Sequence, residues 1–344
     1  MRILLLKSWV GNIGDGFVKK GAYALLRKAF PNAEIVEASA IANCIMAESG
    51  IKGLFKIIGQ RSEVLGPFFL RLGRKWTEND VRLENIVNSG ELIDVDLIVL
   101  TGCVLNVYME MYLNTLEKIG KEVPVVFLGV GGHNYQPKNR QYVTNVLKKI
   151  PTKILMTRDR TAYELYSKFS NFSYDGIDCA FFVNDYYTPS KSKESFIIII
   201  GDHIEESIVV PNMKIIHPIH SPFTHRFRGF IDGEAFFLRH YILNRKNAYL
   251  FKTRNFFISD NIKEYLFLYS NAKELHSDRV HACVAALAYG TPTKFYGNTP
   301  RAKLLDRMVG KKIYRRLFTM NVAKATQEKE RQVSILREFV SELV

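Results

Sequence analysis

The chain has no cysteine pair at metal or redox spacing. Cys44, Cys103, Cys179 and Cys283 are scattered with no CxxC, which argues against a zinc site or disulfide framework and fits a reducing compartment. There is no run of about 18 apolar residues, so no transmembrane helix is predicted. The apolar part of the opening MRILLLKSWVGN, residues 3–6, is too short for a signal h-region of roughly 7–15 residues and reads as a first buried strand. Acid is scarce. Thirty-four Asp+Glu stand against 48 Lys+Arg, a net charge of +14, which suits anionic small substrates or an anionic membrane surface. No helix-turn-helix, zinc-finger or RNP signature accompanies that charge, so no nucleic-acid partner is expected. Neither GxGxxG nor the Walker GK[ST] occurs, and there is no internal repeat of about 20–50 residues.

What is present is an α/β text. The 344 residues are 47% hydrophobic and 24% charged, comfortable for two domains of roughly 150 residues each. Residues 2–6 (RILLL) form a continuous apolar run, as in a parallel strand covered on both faces. A loop with glycines at 11, 14 and 16 follows, then an amphipathic helix ended by Pro31-Asn32, then the strand AEIVEA. This is a βαβ unit. Its loop offers either backbone amides for an anion or a plain tight turn. Asp94-Val-Asp96 precedes the strand LIVL and reads as the start of that strand rather than a metal site, because ligands of open α/β sheets gather at strand C-termini.

Three later loops lie on the ligand edge. VPVVFLGVGGHNY ends in Gly129, Gly131 and Gly132, which allow close approach to the backbone, with His133 at the mouth. KILMTRDRTAYELY is a strand to Thr157, then Arg158, then a helix capped by Asp159 or Thr161. YDGIDCAFFV reads as a turn and strand closing the first sheet. The polar stretch DYYTPSKSKE marks a linker. The division is residues 1–188 as a first Rossmann-like domain on the acceptor side, 189–325 as a second on the donor side, and 326–344 as a terminal helix. In the second, FIIII, MKIIHPI and YLF read as strands and DNIKEYLFLYS as a helix. Thr299 caps PRAKLLDRMV, and KKIYRRL ends the sheet. The His-rich segment 202–247 suits a substrate-facing loop. Residues 50–76 mix Phe, Leu and Ile with Lys and Arg. They read either as a membrane-interface helix pair or as a core-facing helix with a solvated basic face.

The densest stretch is 272–296, AKELHSDRVHACVAALAYGTPTKFY: strand, turn, helix, turn, strand. Its turn carries His276, Asp278, Arg279 and His281. An Arg and a His two residues apart at a helix start can hold an anion and move a proton. His276, at the preceding strand, reads as structural.

Together these motifs resemble the polysaccharide pyruvyl transferase family. The carrying residues are Gly11-Asn12-Ile13-Gly14-Asp15, Gly129-Val130-Gly131, Arg158-Asp159, and Ser277-Asp278-Arg279-Val280-His281-Ala282 with Gly290-Thr291-Pro292 behind. The resemblance implies two Rossmann-like domains facing across a cleft, a GT-B-like layout. It implies transfer of an enolpyruvyl-derived group from phosphoenolpyruvate to two hydroxyls of a cell-surface glycan or its lipid-linked precursor, giving a pyruvate ketal and phosphate. Such a donor carries phosphate and carboxylate, which Arg binds in bidentate fashion. Arg279 and Arg158 are the candidates, with Lys303 further off. His281 is the candidate proton donor, and Asp278 either orients or repels. Asn12, Asp15, Gly131 and His133 complete the binding set. No metal and no cofactor beyond the donor substrate is expected. The location is cytoplasmic, peripheral on the inner membrane face if residues 50–76 sit in headgroups. A nucleotide-sugar glycosyltransferase of the same layout is an alternative. It would usually place an acidic residue for the ribose where Gly290-Thr291-Pro292 stands. A non-catalytic glycan- or membrane-binding protein is another, and the joint presence of Arg279 and His281 argues against it.

Overall fold

The computed structural model describes residues 1–7, 12–39, 89–106, 109, 112–113, 116, 119, 123–132, 134–201, 204, 213–220, 255–314 and 316–343. Residues 50–76, His133 and YLF lie outside them, as does nearly all of the 202–247 loop except residues 204 and 213–220.

Two parallel sheets organise the chain. The first contains β1 (Arg2–Leu6), β2 (Glu34–Ala38), β3 (Leu97–Gly102), β4 (Val125–Val130), β5 (Thr152–Thr157) and β6 (Phe172–Asp175), in the order β2-β1-β3-β4-β5-β6. The second contains β7 (Phe196–Ile200), β8 (Lys214–Pro218), β9 (Phe256–Phe257), β10 (Leu275–Ser277) and β11 (Thr293–Phe295), in the order β11-β10-β7-β8-β9. Every pairing between these strands is parallel. Tyr187–Ser195 joins the sheets without helix or strand. The protein is thus α/β, with two Rossmann-like units of the GT-B-like kind expected. Strand order reverses between β1 and β3 in one sheet and between β7 and β10 in the other, and ligands of such sheets bind at these switch points.

Among the described residues the helices are α1 (Ile13–Ala29), α2 (Pro137–Leu147), α3 (Arg160–Tyr166), α4 (Val183–Tyr186), α5 (Ile262–Asn271), α6 (Val280–Ala288) and α7 (Val322–Ser341). The helix α1 is the hub. Asn12 caps it, its side chain accepting from the Asp15 amide at 3.3 Å. Phe17 meets Tyr269 of α5 edge-on, ring centres 5.7 Å apart, so one apolar core runs through both units. The terminal helix α7 turns back onto the first unit, where Arg337 donates to the Ala29 carbonyl at 2.9 Å and Lys28 pairs with Glu330 at 3.1 Å.

Several boundaries differ from the sequence reading. Cys179–Phe182 is a 3-10 turn rather than a strand, because its four apolar side chains pack under α1 instead of alternating across a sheet. Gly310–Tyr314, the start of KKIYRRL, is also 3-10. The second sheet ends instead at β11, with only an isolated antiparallel bridge from Thr293 to Phe318. Thr299 caps a 3-10 turn over Pro300–Leu305. Phe256–Phe257 is a strand of the second sheet that the sequence reading did not single out. The last helix begins at Val322, behind its cap Asn321. Among the described residues no helix is long and apolar enough to cross a membrane.

The contact between α1 and the 3-10 turn leaves no room for a methyl group. A Cβ on Gly21 would stand 1.9 Å from the Cys179 carbonyl oxygen. Gly21→Ala should therefore destabilise the fold by about 1–3 kcal/mol, although alanine is the better helix former by about 1 kcal/mol. Urea unfolding checks this, and a variant as stable as the parent would contradict it.

Candidate active site

Past the strand C-termini, His281 of the second unit meets Gly14 of the first. On the second unit the site starts at the switch point. β7 ends at Ile200, whose carbonyl accepts from the Asp278 amide at 3.1 Å. A Cβ on the next residue, Gly201, would lie 2.5 Å from the Asp278 carboxylate, and its φ of +147° favours glycine. That absent side chain lets the turn after β10 fold down. Ser277 Oγ accepts from the Arg279 amide at 2.8 Å. Arg279 is the N-cap of α6, so the helix proper starts at Val280. The positive helix end then points at the gap. The Arg279 side chain is partly exposed (44%) and reaches Asp278 at 3.3 Å. Gly290, with φ +82°, makes the turn behind the helix.

On the first unit the N-terminus of α1 comes down on the same spot. A Cβ on Gly14 would stand 2.9 Å from both Cβ and Nδ1 of His281. Glycine there lets two helix starts meet around one imidazole. Asp15 is held by the Asn12 amide at 2.8 Å and by Lys7 Nζ at 3.5 Å. Lys7 sits just past β1 and is buried. Burial alone would lower its ammonium pKa, but Asp15, Tyr112 and Cys103 outweigh that and raise it.

Beneath His281 lies a buried ion pair. Arg158, just past β5, places Nη1 2.7 Å from Asp178 Oδ2, with side chains 1% and 0% exposed. The same oxygen stands 3.5 Å from His281 Nε2. Asp178 Oδ1 accepts from the Ala180 amide at 2.8 Å. Burial would push the Asp178 pKa up, but Arg158 and then His281 overcome it and hold the carboxyl well below the usual range. Such pairs add little net stability over apolar residues of the same shape, so their presence at a sheet's ligand edge points to use. Two buried nitrogens here, Arg158 Nη2 and His281 Nε2, have no hydrogen-bond partner among the described residues.

The space beside Gly131, read from sequence as room for a ligand, is taken by a side chain. A Cβ there would lie 2.7 Å from Arg158 Nε. Arg158 itself is buried rather than exposed at the mouth. Lys303 donates to Thr161 Oγ1 at 3.1 Å, a bond between the two units. Asp159 caps α3 through the Ala162 amide and accepts from the Tyr135 hydroxyl at 2.6 Å. His276 is bonded on both sides, to Tyr296 at 2.9 Å and Glu274 at 3.3 Å, as a structural histidine would be.

Sequence reading missed Asp178, Lys7 and His220. Asp178 and Lys7 each follow a strand C-terminus, the rule that had singled out Arg158. His220 lies two residues past the end of β8. Its carbonyl accepts from the Ile13 amide at 2.8 Å, and its ring bonds the Tyr269 hydroxyl. Burial first, then the cations Arg279 and His281, push its pKa down to about 3. Among the described residues no group of three His, Cys, Asp or Glu side chains is placed to hold a metal.

The family model described as polysaccharide pyruvyl transferase matches residues 12–299. No curated protein matches the chain. Solved structures similar to it include the UDP-GlcNAc 2-epimerase of Neisseria meningitidis bound to UDP-GlcNAc, 12% identical, covering 99% of this chain and 93% of that one at a TM-score of 0.46. Another is the UDP-GlcNAc 2-epimerase of Methanocaldococcus jannaschii in complex with UDP-GlcNAc and UDP, at 13% identity, 97% and 93% coverage and a TM-score of 0.47. The heptosyltransferase WaaC of E. coli with ADP is 12% identical over 88% of this chain and 90% of that one, at a TM-score of 0.38.

The buried state of His220 carries a pH signature. A histidine pKa depressed from the usual ~6.5 to about 3 means that only the unfolded chain takes up this proton between those values. The stability is present above the unfolded pKa and is lost as pH falls through that window. His220→Gln should flatten the slope of urea midpoint against pH between 6.5 and 3. An unchanged slope would show that His220 is not buried neutral.

Proposed function

The chain belongs to the polysaccharide pyruvyl transferase family, and on that premise we propose that it transfers an enolpyruvyl-derived group from phosphoenolpyruvate to two sugar hydroxyls, forming a pyruvate ketal. The observation that supports this most is the meeting of His281, in the first turn of the helix capped by Arg279, with the N-terminus of α1 at Gly14.

The donor carries two anionic groups. Two helix N-termini and the partly exposed Arg279 form a positive gap for them. Arg158, pinned through Nη1, has its buried Nη2 left for a carboxylate oxygen. His281 as general acid protonates the methylene carbon, and the electron pair of the C=C bond forms the new C–H bond. The C2 cation that results is attacked by the first hydroxyl, which gives up its proton. The C2–O bond to phosphate then breaks, the second hydroxyl adds, and its proton goes to a base. One hydroxyl proton replaces the one that His281 delivered, and the other leaves with inorganic phosphate. Asp15, held by Asn12 and Lys7 beside Gly14, is placed on the acceptor side and serves as base. Asp278, packed on Gly201 and facing Arg279, orients that arginine.

The acceptor in this reading is a cell-surface glycan or its lipid-linked precursor, and the site of action is the cytoplasmic face of the membrane. The net charge of +14 favours approach to an anionic lipid surface.

Incubation with phosphoenolpyruvate and a panel of glycosides should release phosphate and add the pyruvate ketal mass to one acceptor. Transfer of sugar from a UDP-sugar, with phosphoenolpyruvate untouched, would refute the assignment. His281→Ala should lose at least about 10²-fold in kcat while phosphoenolpyruvate still raises the melting temperature. Full turnover in that variant removes His281 from the mechanism.

A further inference from the structure

We propose that Asp178 is the positioning residue of the site, holding the His281 ring with Nε2 turned inward, so that the nitrogen exchanging protons with substrate is Nδ1, beside the N-terminus of α1. This rests on the reading of His281 as the acid.

The ring has two different sides. Its Nε2 is buried, without a hydrogen-bond partner among the described residues, and 3.5 Å from Asp178 Oδ2. Its Nδ1 lies on the side of Gly14 and the amides of α1. A carboxylate behind an imidazole fixes ring orientation and stabilises the imidazolium without itself taking the proton. Asp178 is well suited to that role. It is fully buried, with Oδ1 anchored by the Ala180 amide at 2.8 Å and Oδ2 by Arg158 at 2.7 Å, and it is this Oδ2 that faces the ring. The distance of 3.5 Å is longer than a full hydrogen bond, and contacts of this kind commonly tighten when substrate fills the site.

The other charged and titratable groups around the ring do not duplicate Asp178. Asp15 on α1 is committed to Asn12 and Lys7. Asp278, on the same turn as His281, faces Arg279. His220, from the end of β8, bonds Tyr269, and Arg158 is behind Asp178. Asp178 is the carboxylate paired with the His281 ring among the described residues.

The test reads the ring itself, apart from turnover. In the free protein labelled with 15N-histidine, the imidazolium should show an Nε2-bound proton protected from exchange with water and an Nδ1 proton that exchanges. In Asp178→Asn the ring should titrate at lower pH, with a roughly tenfold loss of proton affinity, about one pH unit. Its kcat should fall by about 10²-fold or more, with the Michaelis constant for phosphoenolpyruvate within about threefold of the parent. Asp178→Glu, which keeps the charge but displaces it, should titrate near the parent and lose turnover. A protected Nδ1 proton, or an Asp178→Asn ring titrating as in the parent, overturns the proposal. Should the asparagine variant not fold, the exchange pattern of the parent ring decides alone. Should phosphoenolpyruvate not be the donor, both ring measurements still stand.

Discussion

A carboxylate with no water around it needs a cation, and the pairing of Asp178 with Arg158 sets the geometry of everything above it. Burial works against the Asp178 charge, and Arg158 at 2.7 Å keeps it. Removing either partner alone would leave a buried charge uncompensated, at a cost of about 3–5 kcal/mol. The pair also joins two strand ends, since Arg158 follows β5 and Asp178 follows β6. A second connection holds the same turn from behind. Gln332 of α7, fully buried, accepts from the Ile177 amide at 2.7 Å and donates to its carbonyl at 3.2 Å. The terminal helix, drawn from the far end of the chain, thereby steadies the residue next to Asp178.

From that base the site is assembled across both units. The second sheet supplies His281 and Arg279 at its switch point. The first supplies the ion pair and the α1 start, and Gly14 lets the halves touch. The apolar core continues beneath, through Phe17 and Tyr269, so the relation between the two helix starts is fixed by packing rather than left to a hinge. The positive ends of α1 and α6, with Arg279, are where the anionic groups of the proposed donor would bind. A neutral His220 on the wall adds no further charge.

Much of the frame was legible in the sequence. Continuous apolar runs marked β1, β3, β4 and β7, because strands covered on both faces cannot alternate. Asp159 stood where a cap must stand, and Gly290 where a helix must turn. The role of Asp178 was not legible, since it depends on a partner 20 residues earlier and on an imidazole from the other unit. Its segment, Asp178-Cys179-Ala180-Phe181-Phe182, reads as a strand by composition, yet its apolar side chains serve the interface with α1. Gly131 misled in a related way. A glycine at a strand end says that something comes close, and here the close group is Arg158 rather than a ligand.

The claim on which the account turns is that a proton is delivered to the methylene carbon of phosphoenolpyruvate. Turnover in heavy water, followed by mass spectrometry of the product and by phosphate release, tests it. The account predicts one solvent deuterium in the ketal methyl group for each phosphate released. A product that keeps an undeuterated methylene as an enol ether, or phosphate release without any carbon–deuterium bond, would contradict it.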